Sequence, residues 1–335
     1  MKVKFWIGIA VSAGLIAGLY FMVDMGRLWA ELKSVNPWYL VIAAISNIVF
    51  FYIRALRWRY MVEPVKKGVS TESLFSATMI GFMANNILPF RVGELARAYV
   101  LGRREDVSKG SVFTTIVVER LFDGLSVLLL LIIVLAFLPP EIAGGEVAVN
   151  IRRAGIASFV LYAVLMAGLM WSLYRPRAMT GLVRSVVRPF SEGFSEKAAY
   201  AAESFIAGLG VVKDARLLLY IILYSALHWG MLWVPNWLLF KSFGVGYGVY
   251  DAVLVLVVMA FSVALPSTPG AVGPFHAAAM GAMMLLGMDR ERALGFAIVA
   301  HAVNLVPTVL VGLFFLHREN LSISGIKRAE AVTEA

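Results

Sequence analysis

The chain has 335 residues, 60% of them hydrophobic, and a mean hydropathy of +0.81. Soluble domains are about 45–50% apolar, so this composition excludes an ordinary soluble protein and predicts an all-α integral membrane protein. The net charge is +9 and the chain has no cysteine. The basic residues cluster beside apolar segments, as the positive-inside rule predicts, which argues against a nucleic-acid partner. Disulfides and cysteine-ligated metals are impossible.

The N-terminal apolar run, 5–23, follows the basic start Met1–Lys4. It is longer than the core of a signal peptide, and no clear cleavage site of small residues ends it. We interpret it as a retained first membrane helix. A cleaved signal peptide is the alternative.

Eight apolar segments are candidates for membrane insertion, since about 20 helical residues cross the hydrocarbon core. In chain order they are 5–23, 38–56, 73–101, 111–138, 154–174, 217–240, 249–288 and 293–316. The third is interrupted at Asn85–Pro89 and the seventh at Pro266–Pro274. Proline removes a backbone donor, and broken backbone persists in a bilayer only where protein buries it or it lines a watery cavity. We therefore predict two re-entrant hairpins.

The distribution of basic residues favours about six transmembrane helices plus these two hairpins, with both termini in the cytoplasm. If 73–89 were a full span, the basic residues of 97–109 would lie outside, against the positive-inside rule, whereas a hairpin over 73–101 keeps them inside. On this map 175–213 is a cytoplasmic loop with a short surface helix, and 321–335 is a disordered cytoplasmic tail. We expect a single transmembrane domain, 1–320, in the inner cell membrane.

The two halves of this map, 5–138 and 154–316, have the same order of elements and opposite orientations. Short sequence matches relate them: Leu88-Pro89 to Leu265-Pro266, and Ile116–Asp123 to Ala297–Asn304. Inverted repeats with broken segments near the membrane midplane are typical of transporters. Chance similarity between apolar helices is the alternative.

The first hairpin carries polar residues at and after its break, namely Asn85, Asn86, Arg91, Glu94 and Arg97. The spacing of the last three predicts one face of a helix, and guanidinium groups match phosphate oxygens through paired hydrogen bonds. We interpret these residues as ligands of an anionic lipid head group. Arg54 and Arg57 could join them, although anchoring of these two side chains at the membrane surface is the favoured interpretation.

Segment 111–138 holds three charged residues, Glu119, Arg120 and Asp123. Each charge in a membrane helix costs about 2.5–3.5 kcal/mol on insertion scales. Glu119 and Asp123 are four residues apart and share a helical face. Arg120 points elsewhere, and Glu94 is its expected partner. A structural cluster of ion pairs is the alternative to a functional site.

The second hairpin and the last helix contribute small and titratable residues, namely Pro269, Gly270, Gly273, His276 and His301. The glycines allow a ligand or another helix to approach the backbone closely, and tight helix packing is the alternative. Histidine can carry protons near neutral pH. A histidine that only packs and forms hydrogen bonds is the alternative.

The sequence lacks the motifs of common membrane-associated enzymes. It contains no Gly-x-Ser-x-Gly, no His-Glu-x-x-His and no glycine-rich phosphate loop. We therefore predict no catalytic residues, no metal, no cofactor and no enzymatic activity.

Three motifs carry a resemblance to a known family: Asn86–Arg97, Val118–Asp123 and Leu265–Gly273. With them, the chain resembles the lysylphosphatidylglycerol synthase transmembrane-region family, also called flippase-like membrane proteins. The resemblance covers about 5–317 and implies movement of lipids between leaflets. The aminoacyl-transfer domain of the full synthases would follow Ala335, so the resemblance does not imply lipid aminoacylation.

Three residues of the second half depart from the family pattern. Ala271 stands where the family often has glycine, and His276 stands where it often has glutamate. The last helix has His301 where an arginine is frequent. The resemblance therefore extends to isoprenoid or hopanoid lipids as well as phospholipids.

The sequence thus predicts a lipid transporter, or flippase, that works without ATP hydrolysis. An anionic head group would engage Arg91, Arg97 and Arg120, with Glu94 and Asp123 setting their positions. One alternative is a non-catalytic membrane partner of a lipid-biosynthesis enzyme complex. A third hypothesis, an intramembrane enzyme that uses the carboxylates of 119 and 123, is the least favoured.

Overall fold

The fold is taken from a computed structural model, which describes residues 23–88, 92–137, 146–189, 191–264 and 269–322, together with Gly14 and Gly18. Four features predicted from the sequence lie wholly or largely outside these residues. They are the first membrane helix, 5–23, the side chain of Arg91, the start of the second break at Pro266, and the tail 321–335.

Within the described residues the chain is helical and contains no β-strand, which confirms the predicted all-α class. The α-helices are α1 (Met25–Ser34), α2 (Pro37–Val62), α3 (Thr71–Ile87), α4 (Gly93–Arg104), α5 (Lys109–Ala136), α6 (Glu146–Tyr174), α7 (Pro176–Val187), α8 (Glu192–Gly208), α9 (Ala215–Met231), α10 (Val234–Ser242), α11 (Val249–Ala264), α12 (Pro274–Leu285) and α13 (Arg290–Arg318). Two 3₁₀ turns, Leu209–Lys213 and Pro269–Ala271, complete the described elements.

Three described stretches are long and apolar enough to cross a membrane: α2, the stretch Ala215–Ser242 formed by α9 and α10, and α13. They have 26, 28 and 29 residues. Helix α5 has 28 residues, about 42 Å at 1.5 Å per residue, but charged residues interrupt its apolar surface. The protein is therefore an all-helical membrane protein with several apolar helices.

The chain divides into two compact units. The first unit is Met1–Arg54, Phe75–Arg97 and Leu227–Ala335. The second unit is Ala55–Leu74 and Ala98–Ala226. Helices α2, α3, α4 and α9 each contribute residues to both. Both predicted breaks fall in the first unit, and the charged part of α5 falls in the second.

In the first unit the break predicted at Asn85–Pro89 separates two helices, since α3 ends at Ile87 and α4 begins at Gly93. The two helices lie side by side and run in opposite directions. A Cβ atom added to Gly81 would lie 2.7 Å from the carbonyl oxygen of Gly93, and one added to Gly93 would lie 2.5 Å from Asn85 Oδ1. These distances are too short for any side chain, so both glycines are required by the close helix approach.

The second break lies between α11 and α12, and both helices pack together. The described part of this break is a 3₁₀ turn in which Gly270 has φ +71°. Ala271 follows with φ +55°, a left-handed conformation that L-residues other than glycine adopt at a cost. This strain gives a physical reason for a glycine at the position where the family often has one.

In the second unit, 175–213 differs from the sequence-based expectation of a loop with one short surface helix. It contains two helices, α7 and α8, that pack against each other, and α8 also contacts α5. The reason is local. Proline at the first position of α7 favours a helix start, and α8 is rich in alanine, the strongest helix former.

Candidate functional site

The polar residues at the first break hold the start of α4 in place. The side chain of Asn85 reaches from α3 across the break. Its Oδ1 accepts a hydrogen bond from the backbone N–H of Gly93 at 2.8 Å, and its Nδ2 donates to Glu94 Oε2 at 3.3 Å. The first N–H groups of a helix have no partner within the helix. Asn85 satisfies one of them and orients the first acidic side chain of α4.

Two arginines of the first unit are buried around one aromatic ring. Arg97 is 1% exposed and Arg54 is 4% exposed. Their Cζ atoms lie 5.9 Å and 5.0 Å from the centre of the Phe82 ring. A desolvated cation–π contact of this kind is worth about 2 kcal/mol. The face of this ring therefore contributes to the stabilisation of both guanidinium groups.

Arg54 has a second neighbour, since its Nη1 lies 3.4 Å from Nε2 of His228. That imidazole stacks on Phe50 with 3.9 Å between ring centres. The interpretation of Arg54 as a surface anchor is therefore wrong. Its guanidinium group lies inside the first unit, among aromatic and imidazole rings.

At the second break, His301 of α13 holds the turn. Its Nε2 lies 2.8 Å from the carbonyl oxygen of Gly270. A carbonyl oxygen can only accept a hydrogen bond, so Nε2 carries the proton. The ring of His276 stands perpendicular to that of His301, with 4.7 Å between centres. Among the described residues, Nδ1 of His276 has no hydrogen-bond partner. Gly273, with φ +98°, precedes the first turn of α12 and so positions His276.

The two breaks meet in the first unit. A Cβ atom added to Gly270 would lie 3.4 Å from the carbonyl oxygen of Asn86 and 3.3 Å from Leu305 Cδ1. The turn of the second hairpin therefore contacts the last turn of α3. This contact brings together residues that are far apart in sequence. The first unit thus contains most of the predicted site residues: Asn85, Asn86, Glu94, Arg97, Pro269, Gly270, Gly273, His276 and His301.

The remaining described site residues belong to the second unit, where α5 faces the end of α2. Arg57 Nη2 lies 2.7 Å from Asp123 Oδ1 and 3.5 Å from Glu119 Oε1. The side chains of Arg57 and Glu119 are 0% exposed. Nη1 of the same arginine donates to Ser225 Oγ at 3.2 Å. Both carboxylates therefore share a face of α5, as their spacing predicts, and both contact one guanidinium group.

Arg57 is the main residue that sequence reasoning misplaced, because anchoring at the membrane surface was the favoured interpretation. The position of Arg57 within its helix indicates that the side chain is buried. Helix α2 continues to Val62, so Arg57 lies more than one turn before its end. An ionisable residue at that depth is expected to face a partner inside the protein.

Arg120 is on another side of α5 and its side chain is 40% exposed. Its Nη1 lies 3.6 Å from Asp123 Oδ2, three residues along the same helix. The pairing of Arg120 with Glu94 stays a prediction. Within the described ranges, no three His, Asp or Glu side chains cluster as a metal site would require.

Spanning helices, two interrupted helices and buried charges together define a polytopic membrane protein with polar sites inside its helical units. The family model of the lysylphosphatidylglycerol synthase TM region matches residues 5–312. The chain belongs to this family, which confirms the resemblance drawn from its motifs.

Three relatives extend the comparison. Glycosyltransferase AglD of Haloferax volcanii is 25% identical over 95% of this chain and 54% of its own length. The chain thus spans about half of that protein. A UPF0104 membrane protein of Methanothermobacter thermautotrophicus is 26% identical over 82% of this chain and 83% of its own. A UPF0104 membrane protein of Methanocaldococcus jannaschii is 22% identical over 95% of this chain and 98% of its own length. No solved structure matches the chain.

The comparison with AglD corrects one prediction. The sequence motifs predicted that the protein is not an enzyme, and this prediction is wrong, because a relative aligned over 95% of the chain is named a glycosyltransferase. Searching for short hydrolase and phosphate-loop motifs could not reveal this. Those motifs describe other reaction classes.

Proposed function

We propose that the protein is a lipid transporter that moves a lipid with a phosphate-bearing head group between the leaflets of the inner cell membrane. The observation that carries the proposal is the contact between the two breaks, where Gly270 lies against the carbonyl of Asn86. Transporters place their substrate sites where interrupted helices meet near the membrane midplane. In this proposal the chain has six spans and two re-entrant hairpins in an inverted repeat, with both termini in the cytoplasm.

The buried cations of the first unit support a phosphate-bearing substrate. Arg54 and Arg97 lie around Phe82, so two guanidinium groups come together in the first unit. In this proposal a phosphate group that arrives between them is stabilised by charge-assisted hydrogen bonds. Phospholipids and isoprenoid phosphates carry such a group, whereas a neutral hopanoid does not. Arg91, which belongs to the same unit, is a further head-group ligand in this proposal.

The carboxylates have supporting roles in this proposal. Glu94, held by Asn85, sets the orientation of the first turn of α4, from which Arg97 projects one turn later. Asp123 and Glu119 compensate Arg57 and keep the core of the second unit intact. A second-hairpin glycine, Gly270, allows the turn to approach α3 and to accept the hydrogen bond from His301.

A second candidate function is favoured by the relative named glycosyltransferase. In it the chain binds the lipid that takes part in a glycosyl-transfer reaction. The same buried arginines would then hold the phosphate of a lipid substrate rather than guide it across the membrane. An enzyme of lipid biosynthesis is the expected partner in either case.

The test is leaflet exchange in vesicles that contain the purified protein and a phospholipid with a fluorescent head group. We expect exchange above that of protein-free vesicles, slowed about tenfold or more by Arg97→Gln or Arg54→Gln, since hydrogen bonds to charged groups contribute about 1.5–3 kcal/mol. The matched control is Arg103→Gln, an exposed arginine of the same helix as Arg97. Exchange that is unaffected by the two buried substitutions would overturn the site.

The glycosyl-transfer candidate has its own readout. The same vesicles are incubated with labelled nucleotide sugars and a polyprenyl phosphate, and the lipid fraction is analysed for sugar. Sugar-bearing lipid without leaflet exchange favours glycosyl transfer. Leaflet exchange without sugar incorporation favours transport.

A further inference from the structure

The second unit contains a cavity of about 200 Å³ between the end of α2 and the start of α9. Charged residues dominate its wall: Arg59, Glu63, Lys66 and Arg216. Tyr60 and the turn at Gly68 close the rest. None of these residues belongs to the site described above, so the cavity is a separate feature of the second unit. We call it the basic cavity.

The basic cavity lies at the ends of two stretches that are long enough to cross a membrane. Helix α2 and the stretch that begins with α9 are both of spanning length, and the cavity uses the last turns of the first and the first turn of the second. Tyr60 stacks on Tyr220, with 4.6 Å between ring centres and 11° between planes, and Tyr224 lies 5.5 Å away. Tyrosine is enriched where spanning helices leave the hydrocarbon. The stack therefore indicates the level of lipid head groups.

The charges of the basic cavity favour an anion. Three basic side chains and one carboxylate line it, for a net charge of +2. Lys66 is partly compensated by Glu105, since Nζ donates to that residue's carbonyl and lies 3.6 Å from its Oε2. Across the part of the chain that the structure describes, neither Arg59 nor Arg216 has a carboxylate partner. Arg216 instead lies over the Tyr220 ring, 5.9 Å from its centre.

Exposed arginines at a helix end commonly anchor a protein at the head-group level without binding any particular lipid. The basic cavity differs because its cations line one partly open cavity that also has a tyrosine in its wall. A volume of 200 Å³ corresponds to about seven water molecules at ~30 Å³ each, which is more than a bare phosphate needs. Basic pockets between spanning helices are a recurrent form of anionic lipid site.

We propose that the basic cavity binds the phosphodiester head group of an anionic phospholipid as a resident lipid, apart from the lipid handled by the first unit. Arg59 and Arg216 contact the phosphate from the two helices. Lys66 is held by Glu105 at the back of the cavity, and Glu63 favours head groups that carry hydroxyls rather than a second phosphate. The apolar chains of the lipid lie along the surfaces of α2 and α9.

The test is lipid binding to the purified, delipidated full-length protein, followed by native mass spectrometry. Phosphatidylglycerol and phosphatidylcholine are titrated separately, and inorganic phosphate is added as a competitor. We expect phosphatidylglycerol to bind in preference to phosphatidylcholine. The double variant Arg59→Gln/Arg216→Gln should weaken phosphatidylglycerol binding about thirtyfold and each single variant about fivefold, from the usual contribution of one basic residue at a membrane surface.

The matched control is Arg175→Gln/Arg177→Gln, two exposed arginines of the second unit that lie outside the basic cavity. Unchanged phosphatidylglycerol binding in the double variant, or equal loss in the control, would overturn the proposal. Full displacement of the lipid by millimolar inorganic phosphate would show that the cavity recognises a free anion, which also overturns it. If the double variant fails to fold, the two single variants decide. Leaflet exchange is measured separately, so failure of one proposal leaves the other testable.

Discussion

The described contacts of the buried arginines differ between the two units. In the second unit Arg57 contacts two buried carboxylates, Glu119 and Asp123, and a serine hydroxyl. In the first unit Arg54 and Arg97 lie around the ring of Phe82, and Arg54 also lies beside an imidazole. A carboxylate carries an opposite charge, whereas a ring face attracts a cation through its quadrupole. Burial alone therefore does not reveal the role of an intramembrane arginine, because that role depends on the groups that the arginine contacts.

The largest loss of stability is expected when Arg57 of the second unit is replaced. Arg57→Met leaves two buried carboxylates facing each other, and removal of one partner of a buried ion pair costs about 3–5 kcal/mol. We expect a corresponding loss of stability against heat or denaturant in detergent. The triple variant Arg57→Met/Glu119→Gln/Asp123→Asn should recover most of this loss. Equal stability of Arg57→Met and the parent protein would contradict a structural role for this cluster.

A second prediction concerns the glycine contact that holds the first hairpin closed. Gly93→Ala places a methyl group against Asn85 and the backbone of α3. Overpacking typically costs about 1–3 kcal/mol, so we expect lower thermal stability together with slower leaflet exchange. Gly281→Ala is the control, because a Cβ atom there meets nothing within 4 Å. Similar behaviour of the two variants would show that the close approach of α3 and α4 does not matter.

A third prediction concerns the ring of Phe82, which both buried arginines of the first unit contact. Phe82→Leu keeps an apolar side chain but removes the aromatic face beneath both guanidinium groups. We expect a stability loss of about 1–2 kcal/mol and weaker binding of phosphate-bearing lipid. The measurement is thermal unfolding with and without added lipid. Phe314→Leu, an exposed aromatic residue of the same unit, is the control, and equal effects of both changes would argue against the cation–π contacts.

The smallest expected effect is a gain in stability at the second break. Ala271 has φ +55°, and a left-handed conformation costs a non-glycine residue about 1–2 kcal/mol. Glycine removes this cost, but it also increases the conformational entropy of the unfolded chain, which offsets part of the gain. Ala271→Gly should therefore stabilise the protein by up to about 1 kcal/mol in thermal unfolding. Ala279→Gly, within α12, should instead destabilise it by about as much. A stability loss in both variants would contradict the strained turn.

Much of the local architecture could be predicted from the sequence. The all-helical class, the interruption of 73–101 and the shared face of Glu119 and Asp123 all follow from hydropathy, proline placement and helical spacing. These are properties of neighbouring residues, so a single segment carries the full signal. The strain at Ala271 was also hinted at, since it departs from a family pattern that favours glycine.

The sequence by itself therefore determined that this protein lives in the membrane, that it is helical, and where two of its helices break. Only the tertiary structure decided which groups meet. It paired Arg57 with carboxylates 62 and 66 positions further along, placed Arg54 and Arg97 around one ring, and brought Gly270 against Asn86. The physical reason is that helical periodicity tells which face a side chain occupies, whereas its partner depends on how distant helices pack.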